Sequence, residues 1–164
     1  MIVVADTTPI ISLLKLNRLD LLKELFDTVF IPQFVLHELT GNINYQSEAE
    51  TVLKAEFIKA QNVNDRSAVH VLMKVNMLDR GESEAIILAD ELGAEVLLID
   101  ERKGRKIAKQ LGINLSGTLG MLMKAFDRRL LNTSEVLSCL DELQRNNRQL
   151  GKKLIDQVKQ YIGQ

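Results

Sequence analysis

The sequence predicts a three-layer α/β/α domain around a central, mostly parallel sheet, and two features carry that prediction. Short β-branched apolar runs alternate along the chain with stretches whose apolar residues recur at helical spacing, the order produced by right-handed βαβ crossovers. One of those runs, Val96 to Ile99, is apolar at every position, as a strand buried on both faces of a parallel sheet must be.

The elements follow in order. Ile2 to Ala5 is a short apolar strand that ends at Asp6-Thr7-Thr8-Pro9, a polar cluster with a proline suited to the first turn of a helix. Ile10, Leu13 and Leu14, then Leu19, Leu22, Leu25 and Phe26, predict two short helices interrupted near Leu16-Asn17-Arg18. Thr28 to Ile31 is the second strand, and Pro32 opens a helix with Val35, Leu36 and Leu39 on its apolar face and Gly41 at its end. Ser47 with Glu50 fits a capping box for a helix reaching about Ala55, and Phe57 to Val63 reads as a small strand or an extended link.

Ala68 to Leu78 is helical by spacing. Asp79 with Glu82 forms a second capping-box pattern ahead of Ala85, Ile86, Leu88, Ala89 and Leu92, and Gly93 stops that helix. The Val96–Ile99 strand ends at Asp100; Gly104 to Leu111 is a helix, Ile113 to Leu115 a further short strand, and Leu119–Leu131, Ser134–Gln144 and Lys152–Ile162 are helices. Residues 1–130 therefore read as the sheet-bearing domain and 131–164 as a helical extension packed on the same core.

Composition narrows the function. The chain has 164 residues, 46% hydrophobic and 26% charged, which fits one soluble domain. No apolar run approaches the roughly 20 residues of a membrane span, and Met1 to Asp6 lacks the basic start of a signal peptide, so the expected location is cytoplasmic with no membrane partner. One cysteine, Cys139, and two histidines exclude an internal disulfide and a zinc set; a metal must be held by oxygen. Residues 1–101 carry 8 Lys/Arg and 17 Asp/Glu, whereas 102–164 carry 13 and 5. That division suits a chain that gathers carboxylates in one place and meets a polyanion in another.

Asp6 and Asp100 each follow an apolar strand, at the carboxyl edge where parallel sheets place their sites. Two converging carboxylates repel unless a divalent cation such as Mg²⁺ or Mn²⁺ neutralises them. Taken singly, either Asp is also a reasonable helix cap, Glu82 has a sufficient role in its capping box, and Thr7 and Thr8 can cap a helix or orient a carboxylate. Glu84 has no capping role and sits at the edge of an apolar helix face. Arg102, Lys103, Arg105, Lys106 and Lys109 follow Asp100 at once; an acidic pocket beside a basic turn would receive a phosphodiester, and the bland alternative is a solvated helix face. No aromatic residue interleaves those cations, so base stacking is not indicated. The phosphate loop, the dinucleotide glycine fingerprint and the Gly-x-Ser-x-Gly nucleophile turn are all missing.

Asp6-Thr7-Thr8 after the first strand, Leu36-His37-Glu38-Leu39, Gly81-Glu82-Ser83-Glu84-Ala85-Ile86 and Leu98-Ile99-Asp100 together resemble the PIN domain, the PilT N-terminal-like nuclease fold, over residues 1 to about 130. The run from Asp100 through Gly112, then Ser116-Gly117-Thr118-Leu119-Gly120, resembles a branch related to VapC-type toxins. The resemblance implies a Mg²⁺- or Mn²⁺-dependent ribonuclease with Asp6, Glu38, Glu84 and Asp100 as catalytic metal ligands. Many relatives have Asp where Glu84 stands, and Glu82 lies close enough to compete for the assignment. One or two ions fit the pattern. With that activity, Thr7 or Thr8 would orient the ligands, and Arg102, Lys103, Arg105 and Lys106 would hold RNA. The resemblance also implies a small antitoxin and a homodimer as partners. The alternatives are a nucleic-acid or protein binding module with weak or no catalysis and, ranked last, an aspartyl-phosphate phosphatase, which would need a second Asp two residues after Asp6.

Overall fold

A computed structural model describes residues 1–146 and 150–163; residues 147–149 and 164, which fall within the predicted C-terminal extension, lie outside the described residues. Five strands form one all-parallel sheet: β1 (Val3–Ala5), β2 (Val29–Pro32), β3 (Ile58–Gln61), β4 (Val96–Leu98) and β5 (Leu115–Ser116), in the order β3-β2-β1-β4-β5. The first strand is thus central, with Val4 opposite Phe30 on one side and Ala5 opposite Leu98 on the other. The helices between and after the strands are α1 (Thr7–Lys15), α2 (Asp20–Phe26), α3 (Gln33–Thr40), α4 (Gln46–Lys54), α5 (Arg66–Val75), α6 (Arg80–Leu92), α7 (Arg102–Gln110), α8 (Thr118–Asp127), α9 (Thr133–Arg145) and α10 (Lys152–Ile162).

The period-two alternation of the central strands sorts the core into two clusters. Val3, Ala5 and Leu98 join a cluster with Ile10 and Leu13 of α1, Leu22 of α2 and Met121 and Leu122 of α8. Val4, Leu97 and Ile99 join another with Leu72 of α5, Ile86 and Leu88 of α6 and Ala108 of α7. The sheet is therefore covered on both faces, the α/β fold that the alternating pattern predicts. Val136, Leu140 and Leu143 of α9 and Ile155, Val158 and Ile162 of α10 are buried in the first cluster, so the C-terminal helices share the core of the sheet.

Local signals explain most boundaries. Asp79 and Glu82 form the capping box: the Glu82 N–H donates to Asp79 Oδ1 at 2.8 Å and the Asp79 N–H to Glu82 Oε2 at 3.2 Å. Gly93 ends α6 in the left-handed region, φ 59°, which costs a glycine nothing sterically. Several boundaries differ from the sequence reading: α5 ends at Val75 rather than Leu78, α7 begins at Arg102 rather than Gly104, and β5 is Leu115–Ser116 rather than Ile113–Leu115. A single 3-10 turn at Ile43–Tyr45 runs directly into α4, so Ser47 lies inside the helix and its capping box does not form. The last helix of the sheet-bearing part stops at Asp127 because Arg129 takes φ 60°, after which Asn132 and Glu135 box the start of α9. Among the described residues no helix is long and apolar enough to cross a membrane.

Candidate active site

Asp6 leaves β1 in extended conformation at the start of α1, with its N–H donating to the Leu98 carbonyl at 2.9 Å. Continuing the strand alternation by one residue puts it on the side of Val4, toward α6. There it is buried, 3% exposed, at the wall of a pocket of about 560 Å³ lined by Thr7, Thr8, Glu38, Asp79, Glu82, Glu101, Arg102 and Lys103, with Ile11 and Met77 as its apolar surfaces. Each part comes from a different element: Asp6 to Ile11 from the β1–α1 junction, Glu38 from α3, Asp79 and Glu82 from the cap of α6, and Glu101 to Lys103 from the start of α7.

The electrostatics are those of crowded acids. Burial, followed by the charges of Asp79, Glu82 and Glu38, raises the Asp6 carboxyl to about 7, against the partial relief of the Thr7 backbone N–H. Glu38 and Glu82 are also held above the usual range, first by desolvation and then by acidic neighbours that include Asp79 for both. The Thr7 hydroxyl donates to Glu38 Oε1 at 3.0 Å and fixes that side chain's approach.

Gly81 makes the convergence possible. A Cβ there would lie 2.5 Å from Glu38 Oε1, 3.5 Å from Asp79 Oδ1 and 3.6 Å from Asp6 Oδ1, so three carboxylates from three elements close over the space a side chain would fill. Gly104 does the same for α7, where a Cβ would meet Ile99 Cδ1 at 2.6 Å and Glu82 Oε1 at 3.2 Å.

The other acids singled out from the sequence lie outside this lining. Glu84 is buried on α6, where its Oε2 pairs with Arg80 Nε at 3.3 Å; that guanidinium in turn sits 4.4 Å from the centre of the Phe34 ring. Its charge still reaches Glu38, whose carboxyl it helps to raise. Asp100 is at the same end of the sheet as Asp6, but its carboxylate accepts the Thr118 N–H at 2.8 Å and the Thr118 hydroxyl at 2.6 Å, at the start of α8. The register explains the divergence: with Ala5 opposite Leu98, Asp6 comes opposite Ile99 and Asp100 falls one residue beyond, out of step with it.

Of the basic run, Arg102 and Lys103 line the pocket, Lys106 is exposed on α7, and Arg105 turns back to donate to the Ile99 carbonyl at 2.8 Å. Asp79 and Glu101 line the pocket without having been singled out as site residues. The signal for Asp79 was its capping box, which places a carboxylate at the helix end facing the sheet edge; Glu101 offered only its position beside Asp100.

Among the described residues no group of three or more Asp, Glu, His or Cys side chains stands assembled around a common metal position. The donor chemistry of the pocket nonetheless fits a hard divalent cation. Every charged donor on its acidic side is a carboxylate, and the Asp6 carboxyl is raised first by burial and then by the charges of Asp79, Glu82 and Glu38. No curated protein matches the chain in sequence. Residues 2–164, nearly its whole length, match the family model described as DUF3368, a PIN domain, and the chain therefore belongs to the PIN domain family.

Proposed function

We propose that this protein is a Mg²⁺- or Mn²⁺-dependent endoribonuclease that hydrolyses phosphodiester bonds of RNA in the pocket over the carboxyl ends of β1 and β4. The observation that carries the reading is the buried Asp6 carboxylate, crowded by Glu38, Asp79 and Glu82 beside the cationic edge of Arg102 and Lys103. Membership of the PIN family supports a nuclease and a divalent metal. Asp6 and Glu38 are the central ligands of this reading. Of the two neighbouring glutamates on α6, the lining favours Glu82, while Glu84 acts on the site through the charge it adds at Glu38 and Asp100 holds the start of α8 through Thr118.

A divalent cation, when bound, supplies charge neutralisation and the acidification of water that phosphodiester hydrolysis needs. The chain's own part is positional. Asp6, fixed by the strand end, and Glu82, fixed by its capping box, present rigid carboxylates; the Thr7 hydroxyl holds Glu38; Arg102 and Lys103 neutralise phosphates beside the bond to be cut. No protein nucleophile is required.

The test compares purified wild type with Asp6→Asn, Glu82→Gln and Glu84→Gln on structured and unstructured RNA with Mg²⁺ or Mn²⁺. Losing a carboxylate that holds the cation should lower the rate by about 100-fold or more, so the first two variants lose activity and the third keeps most of it. Equal cleavage by wild type and Asp6→Asn would identify a contaminating nuclease and refute the reading.

From the resemblance to VapC-type toxins we further propose that the protein is the toxin of a toxin–antitoxin pair, held inactive by a small antitoxin and assembled as a homodimer; a short reading frame directly upstream whose product abolishes the cleavage tests it. One observation favours a second reading, RNA binding without cleavage: Glu84 is engaged by Arg80 and Asp100 by Thr118. Calorimetric titration with Mn²⁺ separates the two, since only the nuclease reading requires metal binding that Asp6→Asn removes.

A further inference from the structure

Helix α7 carries more positive charge than the pocket uses, and the structure exposes four of its five cations. Its exposed positions are Arg102, Lys103, Lys106, Lys109 and Gln110, while Gly104 and Ala108 are buried against the domain. No acidic residue lies between Arg102 and Gln110, and among the described residues no ion pair involves any of those four cations. Arg105, the fifth, is turned inward to the Ile99 carbonyl. Helical geometry places Arg102, Lys106 and Lys109 along one line, spanning about 10 Å from the pocket rim outward.

We propose that this face of α7 is a track for the sugar-phosphate backbone of single-stranded RNA, leading from the pocket along Arg102 and Lys103 to Lys106 and Lys109. The proposal rests on the ribonuclease reading for what happens at the pocket end, and adds that the enzyme selects strands extending past the cut on one side by roughly two to three phosphates, the reach of the helix face. Lys109 becomes a binding residue and Arg105 does not. The exposed face contains no apolar or aromatic side chain between Arg102 and Gln110, so it offers neither the buried anchors that a protein partner needs nor a platform for stacked bases. A repeating anion of little shape is the ligand it fits, and Arg102 and Lys103, which line the pocket, join this face to it.

The experiment measures binding of a labelled twelve-nucleotide oligouridylate and of a tetranucleotide in chelator, where no cleavage competes, across a series of salt concentrations. Wild type is compared with Lys106→Gln/Lys109→Gln and with Lys152→Gln/Lys153→Gln, the same loss of charge on α10, which packs against α8 and α9. Each single-strand phosphate contact contributes about 0.7 to the slope of log affinity against log salt. Removing Lys106 and Lys109 should therefore lower the slope for the longer strand by about 1.4, and the α10 variant should keep the wild-type value. The wild-type protein should also hold the longer strand more tightly than the tetranucleotide, and the α7 variant should lose most of that preference. An unchanged slope, an equal fall in the α10 variant, or displacement of the longer strand by polyglutamate as readily as by unlabelled RNA would overturn the track. Because binding is read without metal, its outcome is separate from that of the nuclease: cleavage with an unchanged slope removes the track alone, and a reduced slope in a protein that cuts nothing removes the nuclease alone.

Discussion

Replacing Asp6 by Asn should stabilise the metal-free protein, and by an amount that depends on pH. The Asp6 carboxyl is raised from 3.8 to about 7 by burial and by Asp79, Glu82 and Glu38. Below about pH 4 the group is protonated in both the folded and the unfolded chain and carries no penalty. Between that point and about pH 7 the folded state keeps a proton that the unfolded state has released, so stability falls as pH rises; above the folded value the loss is complete. A rise of about three units at 1.36 kcal/mol each corresponds to a penalty on the order of 4 kcal/mol. Asn has nearly the shape of the neutral acid and does not titrate. The stability of Asp6→Asn relative to wild type should therefore grow by about 4 kcal/mol from about pH 3.5 to mildly alkaline buffer, read by denaturant unfolding in chelator at the two extremes. Mg²⁺ added at the alkaline end should restore the wild type and leave the variant unmoved. A stability difference that is the same at both pH values would refute the account of Asp6 as a buried acid among like charges.

Two further outcomes follow from the same geometry. Gly81→Ala puts a Cβ 2.5 Å from Glu38 Oε1, so it should weaken Mn²⁺ binding by calorimetry at least about tenfold, while thermal stability holds or rises because Ala is the better helix former by about 1 kcal/mol. Thr118→Val removes a buried hydroxyl that donates to Asp100 at 2.6 Å and should cost about 1.5–3 kcal/mol, visible as a fall of roughly 5 °C in Tm; a Tm unchanged from wild type would show that the Asp100 contact does not anchor α8.

The layers, the strands and the end of the sheet at which acids gather are legible in the order of the residues alone. Those features rest on neighbours a few residues apart: the unbroken apolar runs at Val3 to Ala5 and Val96 to Leu98, the Asp79–Glu82 capping box and the glycine after Leu92. Where local signals compete, the outcome was less legible. Ser47 and Glu50 have the pattern of a cap, but the turn at Ile43–Tyr45 delivers the chain already helical.

Which acids meet depends on how the folded strands and helices are set against one another. Asp6 and Asp100 look equivalent in sequence, each following a strand, yet the pairing of Ala5 with Leu98 sets them one residue out of step, leaving Asp6 among acids and Asp100 on Thr118. Glu82 and Glu84 are two residues apart on α6; the helix turns one to the pocket and the other to Arg80. Periodicity is written in adjacent residues, whereas the partner of a side chain depends on register and on close approaches at Gly81 and Gly104, which join residues far apart in the chain.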